Sequence, residues 1–272
     1  MKKFEGYVIV SDMDRTFLGE KSALVSKNLQ AIDYFSKNGG VFTLATGRCY
    51  RVLKYIFPTA ANVVSGPAIL CNGAYLYDFQ KNTTGCACEL EKSELIPFLQ
   101  KVAEKFPDAG YRISCERGYV CPVRTPYLES QLSKFAPIVR FESLDEHMDI
   151  PWHKLVFQCD ESKISELNTF VKTLSNGTFS FTTSSSTLLE VLPKKASKGQ
   201  KLRELKEIYP DRKLICVGDY SNDLDMLQAA DIAACPENAL DEIKAISTIH
   251  LCHHRDGCIA DLIYKLDSSI KE

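Results

Sequence analysis

Two aspartates two residues apart, Asp12 and Asp14, follow closely on the apolar run YVIV near the start of this 272-residue chain. At the end of a strand such carboxylates can divide labour. The first is presented as a nucleophile, and the second lies within reach of a leaving oxygen as general acid and then base. Three further segments are rich in polar chemistry. Thr46-Gly47-Arg48 follows VFTLA and offers a hydroxyl and free backbone N–H groups at a helix start, a natural cradle for a phosphate. Lys198 follows Ser197 in the first turn of an expected helix, where the dipole disfavours a cation unless an anion is bound there. In Gly218-Asp219-Tyr220-Ser221-Asn222-Asp223, after LICV, the two aspartates can give hard oxygens to a divalent cation, one directly and one through water. The glycine lets the chain turn sharply off the strand.

Each segment alone has a plainer reading. DxDxT is a solvated turn, Thr46 an N-cap beside a permissive glycine, Lys198 a lysine pointing to water, and Asp223 a helix cap that leaves Asp219 idle. The conjunction decides between them. If the four segments share a crevice, Asp12, Asp14, Asp219 and Asp223 repel one another and must partly protonate unless a cation sits among them. Mg²⁺ fits best, because it takes a few carboxylates with waters and substrate phosphate. A softer metal would seek His or Cys, which these loops lack.

The elements that must position these residues alternate between strand and helix. Strands are expected at residues 7–10, 41–45 and 68–71, with a turn at Asn72-Gly73 into a short strand at 74–77 and helices at 26–37 and 50–57. The pattern returns with a helix at 198–208, a strand at 213–217, a helix at 223–229, a strand at 232–234 and two final helices. Both ends read as parts of one α/β, doubly wound, Rossmann-like parallel sheet. Between them the texture changes to strand pairs (111–115 with 119–123), a strand at 153–158, a helix at 161–174 and a strand at 178–183. The expected organisation is therefore a discontinuous core, 1–82 and 188–272, with an inserted α+β cap at 83–187. The Ser/Thr run Thr182 to Thr187 reads as the return linker. Open parallel sheets bind ligands outside the carboxyl ends of their strands, where all four segments fall.

Composition narrows the partners. With 33 basic and 35 acidic residues the chain has no global field to attract a polyanion, so nucleic acid is not expected. The apolar run after Lys2 and Lys3 is broken at Asp12 before reaching signal-peptide length, and nothing approaches the ~18 residues of a membrane span, which points to a cytoplasmic protein without membrane contact. Eleven scattered cysteines, an odd number, do not form a disulfide framework, and Cys71 and Cys216 sit in apolar runs as small hydrophobes. Cys86 with Cys88, and Cys252, His253, His254 and Cys258, have no standard zinc spacing.

With these four motifs in this order, the sequence resembles the haloacid dehalogenase superfamily of aspartate-nucleophile phosphatases. Within it, the chain is similar to the Cof-like, class IIB sugar-phosphatase-like branch with a cap between the second and third motifs. Asn72-Gly73-Ala74, GDYSNDLDML and Asp256-Gly257 extend the likeness over essentially the whole chain. The resemblance implies Asp12 as nucleophile and Mg²⁺ ligand, and Asp14 as acid/base that also binds the metal through its backbone carbonyl. It implies Thr46, with Gly47, and Lys198 on the phosphoryl oxygens, Asn222 at the phosphate and Arg48 near the substrate. Asp219 is then a metal ligand, and Asp223 supports the metal site. The substrate would be a small phosphorylated metabolite, the protein a monomer or homodimer. A phosphomutase or other phosphotransferase is the nearest rival, and a non-catalytic ligand sensor the rival of another class. One departure stands out: the family has glycine where this chain has Arg15. Either the backbone there needs no positive φ or the loop is altered, and the arginine is expected to face solvent. In the cap, Arg112, Arg117, Tyr119 and Arg124 are expected to be solvent-facing strand residues.

Overall fold

The apolar runs from the two ends of the chain meet in one sheet. The computed structural model describes residues 2–270, which divide into two units. The first takes the residues up to Gly47, Pro58–Cys86 and those from Ser197 onward; the second takes Arg48–Phe57 and Ala87–Ala196.

In the first unit an eight-stranded sheet runs in the order Ile249–Leu251, Ile232–Pro236, Lys213–Val217, Tyr7–Asp12, Val41–Ala45, Ala68–Leu70, Tyr75–Asp78, Thr83–Gly85. The first six strands are parallel and the last two are added antiparallel. Strands covered on both faces need unbroken apolar runs, and Val8, Ile9 and Val10 beside Leu214, Ile215 and Cys216 meet that need, all being buried. Val10 lies between Cys216 on one side and Thr43 on the other. From Tyr7–Asp12 the chain winds outward through Val41–Ala45, and from Lys213–Val217 it winds the other way. The strand order therefore reverses between these two neighbours, and the crevice at their carboxyl ends is where a ligand belongs. Asp12 and Gly218 stand at those two ends.

The second unit has a six-stranded sheet in the order Phe179–Ser185, Leu188–Pro193, Trp152–Gln158, Gly110–Cys115, Gly118–Val120, Val139–Arg140. Helices Lys92–Lys105 and Glu161–Leu174 cover one face. They bury Leu95, Phe98, Leu99 and Val102, and Ile164, Leu167 and Val171, at helical spacing against Ile113, Leu155, Phe157, Leu189 and Val191. Lys154 and Glu190 alternate with these strand residues and form a buried ion pair at 3.0 Å.

The unit boundaries differ from those expected. Thr83–Gly85 pairs with Tyr75–Asp78, so the first unit extends to Cys86 rather than ending at residue 82. The Ser/Thr run is no linker: Thr182 and Thr183 pair with Glu190 and Leu189 in the second sheet, which carries that unit on to Ala196 rather than to residue 187. β-Branched threonines suit a pleated strand, and the packing of Phe179 and Phe181 into the core supplies the period-two pattern. The expected strand at 119–123 ends at Val120, just before Cys121 and Pro122, because proline cannot donate to a ladder. The helix expected at 50–57 is present as Tyr50–Ile56 and clusters with the second unit. Among the described residues no helix is long and apolar enough to cross a membrane.

Candidate active site

Asp12 ends its strand almost fully buried, and the chain then makes one wide turn, Met13–Phe17, closed by the Leu18 N–H donating to the Met13 carbonyl at 2.9 Å. Inside it Asp14 is extended (φ −79°, ψ 126°), half-buried, and Arg15 is left-handed (φ 62°, ψ 15°). The loop thus keeps the positive φ that glycine would adopt without strain, and the arginine occupies it despite its Cβ. Nor does Arg15 simply face solvent: its Nε lies 3.7 Å from Asp219 Oδ2, although 58% of the side chain is exposed. Thr16, to which the sequence assigned no role, is fully buried and donates its hydroxyl to Asp219 Oδ1 at 2.9 Å.

Lys198 opens the helix Lys198–Ile208, capped by the Ser197 hydroxyl on Gln200 N. It is buried, and its ammonium lies 2.6 Å from both Asp12 Oδ1 and Asp223 Oδ1. The plain reading, a lysine in water, is excluded, and the anions that resolve its conflict with the helix dipole are the protein's own carboxylates. Asp223 uses its other oxygen, Oδ2, to accept from the backbone N–H groups of Asp219 and Tyr220 at 3.0 and 3.1 Å. A Cβ on Gly218 would fall 2.5 Å from Asp223 Cβ, so only glycine lets Asp223 fold back onto the strand end.

Asp12, Asp219 and Asp223 each present a carboxylate oxygen, all within 4.8 Å of one another and all buried. The Asp14 side chain is not in this group. Burial pushes the Asp12 carboxyl well above its ordinary range, Lys198 pulls it back, and Asp223, Asp219 and Asp14 raise it again. Asp219 is pushed up to about 7, by burial first and by Asp223 second, against Thr16, Arg15 and Lys198. Burial alone would lower Lys198, but Asp12 and Asp223 outweigh it and hold the ammonium protonated. Three buried carboxylates with one buried ammonium among them are under-neutralised. The donor set is all hard oxygen, so a divalent cation fits it.

Thr46 is buried, and its backbone donates to the Ile69 carbonyl at 2.8 Å and accepts from Asn72 N at 3.0 Å. Cys71, Asn72 and Gly73 are consecutively left-handed (φ 50°, 54°, 91°). A Cβ on Gly73 would sit 2.0 Å from the Ser197 carbonyl, so the turn docks on the start of the Lys198 helix. Asn222 donates to Asn72 Oδ1 at 3.3 Å, and a Cβ at Gly47 would meet the same oxygen at 3.0 Å. Asn72 therefore joins Thr46, Gly47 and Asn222. The Asn-Gly pair in the sequence signalled only the turn. Arg48 belongs to the second unit.

The Met13–Phe17 loop after Asp12 is fixed by its carbonyls, a role the sequence did not reveal. Asn238 Nδ2 donates to Arg15 O, Cys258 Sγ to Thr16 O, Asn28 Nδ2 to Phe17 O and His254 Nδ1 to Leu18 O, at 2.9, 3.1, 3.0 and 2.7 Å. His254 and Cys258, weighed above as zinc ligands, are thus loop anchors. In the second unit Tyr119 is buried rather than solvent-facing, with Arg112 over its ring at 5.1 Å. Arg117 and Arg124 pair with Asp149 and Glu129.

A family model for haloacid dehalogenase-like hydrolases matches residues 9–263. The chain is similar to a pyridoxal phosphate phosphatase of Escherichia coli, at 23% identity over 94% of this chain and 97% of the relative. It is also similar to a 5-amino-6-(5-phospho-D-ribitylamino)uracil phosphatase of Bacillus subtilis, at 24% identity over 95% and 97%. The crystal structure of a haloacid dehalogenase-like hydrolase from Bacteroides thetaiotaomicron superposes with a TM-score of 0.83 at 21% identity, covering 96% of this chain and 99% of that one. That likeness gives the fold.

Proposed function

The chain belongs to the haloacid dehalogenase-like hydrolase family, and from that premise we propose that it is a Mg²⁺-dependent phosphatase in which Asp12 takes the phosphoryl group of a small phosphorylated metabolite. The observation that carries this reading is the Asp12–Lys198–Asp223 bridge, with Asp219 beside it, at the point where the strand order reverses. Relatives named for two unlike phosphate esters support the reaction type over any one substrate.

Asp12, Asp219 and Asp223, with the Asp14 carbonyl, would hold Mg²⁺, which when bound would neutralise charge on the transferring phosphoryl group. The residues do the rest. Lys198 already uses two of its three N–H donors on Asp12 and Asp223, which leaves one for a phosphoryl oxygen. Thr46, Gly47 and Asn222, joined through Asn72, bind the remaining oxygens. The Asp12 carboxylate attacks phosphorus in line, the ester oxygen leaves, and Asp14 gives it a proton. Asp14, now a carboxylate, takes a proton from water, which attacks the aspartyl-phosphate and frees Asp12 with inorganic phosphate. Selection among esters is assigned to the second unit, which includes Arg48.

The test is phosphate release from a panel of sugar phosphates, pyridoxal phosphate and an aryl phosphate, with and without Mg²⁺, beside Asp12→Asn. Release that requires Mg²⁺ and falls at least ~10³-fold in the variant is expected. Release that needs an added sugar acceptor would instead make the protein a phosphotransferase. Asp12→Asn with unchanged turnover would refute the nucleophile.

A further inference from the structure

Arg15 holds a left-handed backbone that its side chain disfavours, and Asn238 fixes its carbonyl there at 2.9 Å. From that position the guanidinium reaches the rim of the carboxylate cluster. Its Nε is 3.7 Å from Asp219 Oδ2, while Asp219 Oδ1 is taken by the Thr16 hydroxyl. Arg15 thus brings a cation of the chain's own to a carboxylate that is only 2% exposed. The oxygen nearest the guanidinium belongs to a carboxylate that, with Asp12 and Asp223, would hold a divalent ion.

We propose that Arg15 is an intramolecular counter-ion of Asp219 that competes with the divalent cation, so that this chain binds Mg²⁺ more weakly than it would with glycine at that position. The inference rests on the metal reading above. Two effects of the residue separate cleanly. Backbone strain at Arg15 is present with or without the ion and cancels from metal affinity. The guanidinium charge acts on the same carboxylate as the ion and does not cancel. A pair at 3.7 Å with a half-exposed guanidinium is weak, and its removal should tighten Mg²⁺ about two- to fivefold in Kd. Screening by salt should shrink that difference.

Isothermal titration of the full-length protein with MgCl₂ tests this, using Arg15→Gly, Arg15→Gln and Arg15→Lys. Glycine removes charge and strain, glutamine removes charge alone, and lysine keeps both charge and strain. The expected result is a lower Kd for the glycine and glutamine variants by a similar factor and a wild-type value for lysine. The metal-free Tm of Arg15→Gly should exceed that of Arg15→Gln by about 2–4 °C, because glycine alone relieves the left-handed strain. Saturable binding by the wild type with the same or a higher Kd in the glycine and glutamine variants would overturn the proposal and leave the metal reading standing. Absence of saturable Mg²⁺ binding by the wild type would overturn both.

Discussion

Replacing Lys198 with methionine should reveal how much of the first unit's stability rests on one ammonium. Lys198 is 1% exposed and touches two carboxylates at 2.6 Å, one of which, on Asp223, is wholly buried. Removing one partner of a buried ion pair leaves an uncompensated charge and costs roughly 3–5 kcal/mol. Methionine retains much of the apolar stem, so the loss is electrostatic rather than a cavity effect. At about 2–4 °C per kcal/mol for a unit of this size, the Tm in EDTA at pH 8 should fall by roughly 6–20 °C. The size of the fall must depend on pH. Lys198 pulls the Asp12 carboxyl down against burial, so without it that carboxyl rises further above its ordinary range. Relative to the unfolded chain, the folded variant then binds more protons than the folded wild type does, and the stability gap between the two proteins narrows as pH falls. Scanning calorimetry of both proteins at pH 6, 7 and 8 is the assay. Equal Tm values at pH 8, or a gap that widens as pH falls to 6, would refute the account of Lys198 as the neutralising group.

Two further outcomes follow from the same geometry. Asp219 is raised from an ordinary 3.8 to about 7, so its contribution to metal-free stability is complete below about pH 4 and is lost as pH rises through 7. Calorimetry in EDTA should show stability declining between pH 5 and 8, and added Mg²⁺ should raise Tm more at pH 8 than at pH 5; a metal effect that is larger at pH 5 would contradict this. In Gly218→Ala the new methyl would lie 2.5 Å from Asp223 Cβ, an overlap worth about 1–3 kcal/mol of stability, and Mg²⁺ titration should show weaker binding because Asp223 is displaced. Unchanged Tm and Kd in that variant would mean the turn has slack.

What the sequence disclosed, and what it hid, has a physical pattern. YVIV and LICV declared themselves as strands buried on both faces because each is an unbroken apolar run, and the motif residues just beyond them had to lie at one edge of one sheet. Asp12, Asp219 and Asp223 did come together there, with Lys198 among them. The Thr182–Ser185 segment misled because serine and threonine resemble linker by composition, while the pairing that makes it a strand comes from Leu189 and Glu190 on the next strand. Arg15 was expected in solvent because a single exposed arginine has no periodicity to betray its partner. Asp219, 204 positions later, supplies that partner only once the strands are adjacent.

The anchors of the Met13–Phe17 loop explain how so unfavourable a residue as Arg15 is accommodated. A left-handed arginine persists only where its surroundings over-determine the backbone. Here four successive carbonyls, from Arg15 to Leu18, each accept a side-chain hydrogen bond, from Asn238, Cys258, Asn28 and His254. These donors are themselves cross-linked: Asn238 Oδ1 accepts from His254 N, and Asn28 Oδ1 from Ala260 N. The loop's shape is thus imposed by Asn28 and the C-terminal third of the chain, not by the local preferences of residues 13–17. A frame of that kind holds Asp12 and Asp14 in place whatever occupies position 15, which leaves that side chain free to act on Asp219.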